Sequence, residues 1–142
     1  MIPPRDRAFR VTMSQRCLPL NPDEVGSHAP RRPGVYQFMA FNAAAKAEVL
    51  YVGAAVAGAR GTIYDALAAH IMGNLRPSSE DLRKAADNIY FDYISEADVE
   101  SPEDFKDIAA ALIARLKPRL NPSNSPSLFT GRYRAVSVQE SI

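Results

Sequence analysis

Hydrophobic and polar residues alternate in short runs near the middle of the chain and follow a helical spacing in others. The runs Val35–Phe41 and Val49–Val52 are rich in β-branched and aromatic residues, which predicts two strands. The small or polar residues 42–48 between them suit a hairpin loop. A third β-prone run, Ile89–Ile94, predicts a third strand.

Three stretches of helical spacing complete the pattern. Apolar residues recur at helical intervals from Ile63 to about Gly73, and glycine is a common C-terminal stop. A second helix is expected over residues 80–86. The third follows Ser101-Pro102, which suits a helix start, and ends before Pro118. The predicted order of elements is therefore β-β-α-α-β-α.

The two ends of the chain show no such clear periodicity. Residues 1–32 contain several prolines, which predicts an irregular N-terminal arm in which Phe9–Met13 could form a short edge strand. Residues 33–122 form the predicted domain. Residues 123–142 are expected to be a C-terminal tail, in which Tyr133–Val138 could add one more strand.

Composition narrows the class of protein. A chain of 142 residues is most simply one domain with a sizeable core. No run approaches the roughly 18 apolar residues that a membrane helix needs, so no membrane partner is expected. Cys17 is the only cysteine, which excludes an internal disulfide and a multi-cysteine zinc site. We therefore expect a cytoplasmic protein.

The formal net charge of +1 conceals a marked asymmetry along the chain. Residues 1–34 carry a net +3, residues 80–107 a net −7 and residues 108–142 a net +4. Thirteen of the seventeen cationic residues are arginine, whose forked guanidinium suits phosphate or carboxylate. The basic ends could follow a nucleic-acid backbone. They could equally offset the acidic middle, within one chain or between subunits.

Three separated motifs carry a resemblance to a known family. Gly34-Val35-Tyr36 and Tyr51-Val52-Gly53 lie on the two strands of the predicted hairpin, and the last helix runs into Lys117-Pro118-Arg119-Leu120-Asn121. Over about residues 33–122 this order resembles the GIY-YIG nuclease superfamily. The resemblance implies an α+β fold, with a small three-stranded antiparallel sheet flanked by three helices and with extended N- and C-terminal arms. It also implies a metal-assisted site for cutting nucleic acid, and the matching positions are Tyr36, Tyr51, His70 and Asn121.

Two residues of the family's site are missing from this sequence. The alignment places Ala66 where the family has an arginine and Ala109 where it has a metal-binding glutamate. Phosphodiester hydrolysis needs a cation on a phosphate oxygen and a donor for developing negative charge, and alanine supplies neither. No metal site is therefore expected, and Mg²⁺ or Mn²⁺ would serve as cofactor only if the chain were an active nuclease.

Three functional hypotheses follow. The first is a degenerate GIY-YIG-like domain that binds nucleic acid, expected to be DNA, with little or no catalysis. The second is an active metal-dependent endonuclease with a displaced site. The third is a protein-interaction or oligomerisation module that uses its terminal arms. The residues expected to contact nucleic acid in the first hypothesis are Arg60, Arg76, Arg115, Lys117 and Arg119.

Each matching residue also has a structural interpretation. Tyr36 and Tyr51 could simply pack on the sheet. His70, on an apolar helix face, could be a hydrogen-bonded core histidine. Asn121 could cap the backbone after the last helix.

Overall fold

The structure, a computed structural model, describes residues 5–14, 17–121 and 129–140. Its strands are β1 (Arg5–Met13), β2 (Leu18–Pro19), β3 (Gly34–Phe41), β4 (Ala47–Ala55), β5 (Tyr90–Ala97) and β6 (Tyr133–Glu140). Its helices are α1 (Pro22–His28), α2 (Ile63–Met72), α3 (Ser79–Ala85) and α4 (Asp104–Leu116). A single 3-10 turn, Gly58–Arg60, lies between β4 and α2.

The six strands form one mixed sheet with the order β4-β3-β5-β1-β6. Strand β3 lies antiparallel to both β4 and β5, and β5 lies antiparallel to β1. Strand β1 pairs in parallel with β6, so elements from the two ends of the chain lie side by side. The short β2 continues the line of β1 and pairs with the start of β5.

Helices cover both faces of the sheet and divide the core in two. Helix α4 packs on one face, where Ile108 and Leu112 meet Val35, Val52 and other strand residues. Helices α1, α2 and α3 pack on the other face around Phe38. The protein is α+β. Within the described part of the chain, no helix combines the length and the apolar character needed to cross a membrane.

The prediction of a three-stranded antiparallel sheet with three helices and extended arms is wrong. In the part of the chain that the structure describes, the sheet has six strands and is mixed, and there are four helices. Only Phe9–Met13 of β1 was expected as a strand, and at an edge, whereas β1 is an interior strand that begins at Arg5; charged residues occupy four of its nine positions and obscure the pattern. Only Phe9 and Val11 are fully buried there, while their neighbours Arg7 and Arg10 lie toward the surface.

Helix α1 was missed for a different reason. Pro22 and Gly26 predict irregular chain, yet Pro22 occupies the first turn, where the proline ring is compatible with a helix. The Asn21 side chain accepts a hydrogen bond from the Glu24 N–H at 2.8 Å and so caps the helix.

The C-terminal strand depends on its partner. Strand β6 has only one buried residue, Val138, and it joins the sheet by pairing with β1. The sequence of β6 therefore does not indicate that its partner strand is β1. The stretch 122–128 lies outside the described residues.

Candidate functional site

The β3–β4 hairpin places both motif tyrosines on the α2 side of the sheet. In its register Tyr36 lies opposite Gly53, and Phe38 lies opposite Tyr51. The ring centroids of Tyr36 and Tyr51 are 6.4 Å apart, and Phe38 stacks against Tyr51 at 5.9 Å. The hairpin thus forms a small aromatic surface with two phenol groups.

Both motif glycines are required by the packing. A Cβ atom at Gly53 would lie 2.5 Å from the hydroxyl oxygen of Tyr36, well inside van der Waals contact. A Cβ atom at Gly34 would overlap the carbonyl oxygen of Ile94 and lie 2.6 Å from a methyl carbon of Ile63. Glycine is therefore needed at position 53 to make room for the Tyr36 ring, and at position 34 for the approach of β5 and α2.

His70 completes the group from the last turn of α2. Its Nε2 lies 2.7 Å from the Tyr36 hydroxyl, and its Nδ1 lies 2.8 Å from the Pro77 carbonyl oxygen. A carbonyl can only accept, so Nδ1 carries the proton and donates it to Pro77. In the neutral ring Nε2 then accepts a hydrogen bond from the Tyr36 hydroxyl. The result is a directed chain from Tyr36 through His70 to Pro77.

Burial keeps the side chains of Tyr36 and His70 uncharged. His70 is fully buried, and the loss of hydration lowers its pKa from 6.5 to about 4, although the carbonyls of Pro77 and Leu75 act in the opposite direction. The charge of Arg60 lowers the pKa of His70 further. Burial, together with the neighbouring Tyr51, raises the pKa of Tyr36 well above its ordinary value, and Arg60 opposes this shift. At neutral pH the phenol is therefore a hydrogen-bond donor, and phenolate is strongly disfavoured.

Tyr51 is the more accessible of the two tyrosines. It is partly buried, and burial raises its pKa, while interaction with the Tyr36 hydroxyl lowers it. Its ring lies 5.5 Å from that of His70. Of the three rings, Tyr51 is the one that a ligand could reach from outside.

The two alanines that the resemblance aligns with charged residues, Ala66 and Ala109, lie on opposite faces of the sheet. Ala66 belongs to α2 and is buried in the cluster that contains Tyr36. Ala109 belongs to α4 and is buried in the other cluster, with Val35. The structure therefore brings Ala66, but not Ala109, to the side of the two tyrosines.

Asn121 binds the backbone of the sheet's edge strand. Its side-chain oxygen accepts from the Val52 N–H at 2.9 Å, and its side-chain nitrogen donates to the Val52 carbonyl at 3.0 Å. The preceding Leu120 N–H donates to the Leu50 carbonyl at 2.9 Å. Residues 120–121 thus form hydrogen bonds with the β4 backbone that a neighbouring strand would otherwise form.

The five cationic residues expected to bind nucleic acid do not form one cluster. Arg60 donates to the Asn74 carbonyl at 3.0 Å, and Arg76 is 89% exposed and lies 3.8 Å from Asp81. Both therefore flank α2.

The other three lie at and beyond the end of α4. Arg115 pairs with Glu140 on β6 at 3.6 Å, and Arg119 pairs with Glu48 on β4 at 2.9 Å. Lys117 is exposed and caps α4 in a left-handed conformation, with φ of 47°.

Two further arginines lie near α2, and both belong to the basic segment 1–34, which was expected to follow a nucleic-acid backbone. The Arg31 guanidinium lies 4.0 Å from the ring centroid of Tyr64 on α2. The Arg32 carbonyl accepts from the Ile63 N–H at 3.0 Å, which fixes this segment at the start of the helix. Their position next to the β3 strand start was visible in the sequence, but their proximity to α2 was not.

A buried polar cluster on the other face was also missed. Asp104 and Asp107 of α4 are fully buried and bind groups that immediately precede or begin β6. Asp104 accepts from the Tyr133 hydroxyl at 2.8 Å and from Arg132, and Asp107 accepts from both the N–H and the hydroxyl of Thr130. The spacing of the two acids on an otherwise apolar helix face was the available signal.

Within residues 5–14, 17–121 and 129–140, no group of three or more His, Cys, Asp or Glu side chains is placed so that it could hold a metal ion. No family model, curated protein or solved structure matches the chain.

Proposed function

We propose that the chain is a GIY-YIG-like domain that binds the phosphate backbone of nucleic acid, with DNA as the expected ligand, and does not cleave it. The observation that carries this proposal is the buried Tyr36–His70 pair, with the Oη–Nε2 distance of 2.7 Å and arginines on the adjacent surface. The motif hairpin and its histidine form one group, as the resemblance to the family implies.

The state of that group argues against catalysis. A nucleophile must lose its proton and a general base must accept one. Burial raises the pKa of Tyr36, which disfavours the phenolate, and lowers the pKa of His70, which makes its neutral ring a weak base. Ala66 adds no charge on this side of the sheet to stabilise a developing anion. The arrangement supports a rigid platform in which Tyr36 is fixed and Tyr51 faces a ligand.

The surface around α2 supports phosphate binding. Arg31, Arg32 and Arg60 are exposed, and none of them has a carboxylate partner within 4.0 Å in the described part of the chain. An arginine without a nearby carboxylate keeps its positive charge available to a phosphate oxygen. Arg76 lies near Asn74, the residue to which Arg60 donates, but it differs from these three arginines in having a carboxylate, Asp81, at 3.8 Å.

Binding can be tested by fluorescence anisotropy with labelled single-stranded and double-stranded DNA over a range of salt concentrations. We expect the double variant Arg32→Ala/Arg60→Ala to weaken binding about tenfold and to reduce the salt slope by about two. Arg119→Ala is the matched control, because that guanidinium is already paired with Glu48. Equal losses in both proteins, or no binding by the wild type, would contradict the proposal.

An active endonuclease is the second candidate, and one observation favours it. Nε2 of His70 faces the Tyr36 hydroxyl at hydrogen-bond distance, which is the geometry that a base needs to take the phenol proton. The assay is nicking of supercoiled plasmid with Mg²⁺ or Mn²⁺. We expect no nicking, whereas cleavage that Tyr36→Phe abolishes would establish the enzyme and reject the binding-only proposal.

The proposed place of action is the cytoplasm, where the single cysteine, Cys17, would remain reduced. Fractionation of cells that express the chain, with immunodetection in each fraction, tests this placement. Recovery from an extracellular or membrane fraction would contradict it.

A further inference from the structure

The two outer edges of the sheet differ in how their backbone groups are satisfied. The β4 edge is closed: Asn121 binds both backbone groups of Val52, Leu120 binds the Leu50 carbonyl, and Arg119 lies across Glu48. Such covering contacts keep an edge strand from pairing with another chain.

The β6 edge lacks a comparable cover. Strand β6 has eight residues, contains neither proline nor lysine, and pairs with β1 on one side. Within residues 5–14, 17–121 and 129–140, no backbone segment pairs with its other side. The one side-chain contact to its backbone in those ranges is a 3.3 Å hydrogen bond from Arg115 to the Val138 carbonyl. An uncovered strand of this length is a template for an added strand.

The two faces of β6 differ in a way that suits a continued sheet. The register with β1 sets Val138 beside the buried Phe9, on the α4 side. It sets Ser137 beside Ala8 on the opposite side, where these small side chains are exposed. Neither Ser137 nor Ala8 has a side chain large enough to obstruct the approach of another strand.

We infer that β6 pairs antiparallel with β6 of a second copy of this chain, with Ser137 at the two-fold axis. In this register Val136 lies opposite Val138 of the second copy, on the α4 side of the continuous sheet. Arg134, near the start of the strand, lies opposite Glu140, at its end. Within one copy Arg134 pairs with Asp6 and Glu140 pairs with Arg115, so the contact across the axis would join two existing ion pairs. A two-fold dimer is closed and self-complementary, and it would leave no open edge of this kind.

The charge pattern of the strand identifies the partner as a second copy. Antiparallel self-pairing sets the basic start of β6 against its acidic end, and a parallel arrangement would set Arg134 beside Arg134. An unrelated extended peptide would need the same pattern to fit equally well. The inference is independent of the proposed nucleic-acid binding, because β6 lies at the far edge of the sheet from β4.

The test is analytical ultracentrifugation of the full chain from about 1 µM to about 1 mM, where a reversible dimer shows mass action. We expect Ser137→Arg and Ser137→Glu each to weaken the dimer at least about fivefold, since like charges would face each other across the axis. An equimolar mixture of the two variants should restore dimer formation to at least the wild-type level. Rescue in the mixture also shows that both variants fold.

Ala47→Arg is the matched control, because Ala47 is an exposed small residue on β4, at the opposite edge of the sheet from β6. It should leave the dimer unchanged. A monomer at every concentration, a dimer that neither Ser137 variant weakens, or equal weakening by Ala47→Arg would each overturn the inference.

Discussion

Protonation of His70 should make the stability of this protein fall steeply in mild acid. The unfolded chain binds a proton at this histidine below about pH 6.5, while the folded protein does so only near its lowered pKa of about 4. Between these values the unfolded state holds more protons, so the free energy of unfolding decreases as the pH falls. The contribution of neutral His70 is fully present above pH 6.5.

The size of the effect follows from the two pKa values. Relative to about pH 7.5, the loss reaches about 2 kcal/mol by pH 5 and about 3 kcal/mol by pH 4. This is a large fraction of the roughly 5–15 kcal/mol that stabilises a typical domain. The loss near pH 5 is the more informative, because most carboxylates are still ionised there.

Urea unfolding followed by circular dichroism at several pH values measures this loss. His70→Gln removes the titrating ring but keeps a side-chain amide that can donate to Pro77. This variant should be less stable at neutral pH and should lack the extra loss near pH 5. His28→Gln removes the chain's other histidine, on α1, and should keep the wild-type dependence. Parallel pH profiles for the wild type and His70→Gln would refute the reasoning.

Three further substitutions test other parts of the structure. Gly53→Ala should lower the free energy of unfolding by about 1–3 kcal/mol, because the new methyl group displaces the Tyr36 ring. Gly26→Ala is its control and should not destabilise the protein, since no atom lies within 4 Å of the new Cβ. Thermal unfolding compares the two variants. Asn121→Ala should cost about 1–2 kcal/mol in urea unfolding, since two hydrogen bonds to β4 are lost, and unchanged stability with weakened DNA binding would show that the side chain serves a ligand. Asp107→Asn should lower the free energy of unfolding by about 1–3 kcal/mol, because one carboxylate acceptor for Thr130 becomes a donor. It should also speed amide hydrogen exchange throughout β6. Unchanged exchange in β6 would show that the contacts of Asp107 do not hold the strand.

The central elements could be predicted because their signals are local. Strands β3 and β5 are dense runs of aromatic and β-branched residues, and helix α2 shows a clear helical spacing. For strand β1 the local signal covered only Phe9–Met13 and did not indicate an interior position, since Phe9 and Val11 are buried against a helix about a hundred residues later. Contacts between residues so far apart in the sequence cannot be predicted from the local pattern of either segment.

The candidate site was predictable only in part for a similar reason. Helical spacing placed His70 on the apolar face of α2, which made a hydrogen-bonded core histidine a natural hypothesis. Its acceptor is the backbone carbonyl of Pro77, and a carbonyl gives no residue-specific signal. Counting along α4 located Ala109, but the side of the sheet on which α4 packs depends on the path of the intervening chain.

The parallel pairing of β1 with β6 has a consequence for how the nascent chain acquires its structure. Arg7 lies level with Val136, so one side of the first strand stays without its neighbour until nearly the whole described sequence has left the ribosome. The β3–β4 hairpin, whose partners are close in sequence, can form long before that. Between these events the residues of β1 present unpaired backbone to the cell, and this exposure raises the chance of misassembly.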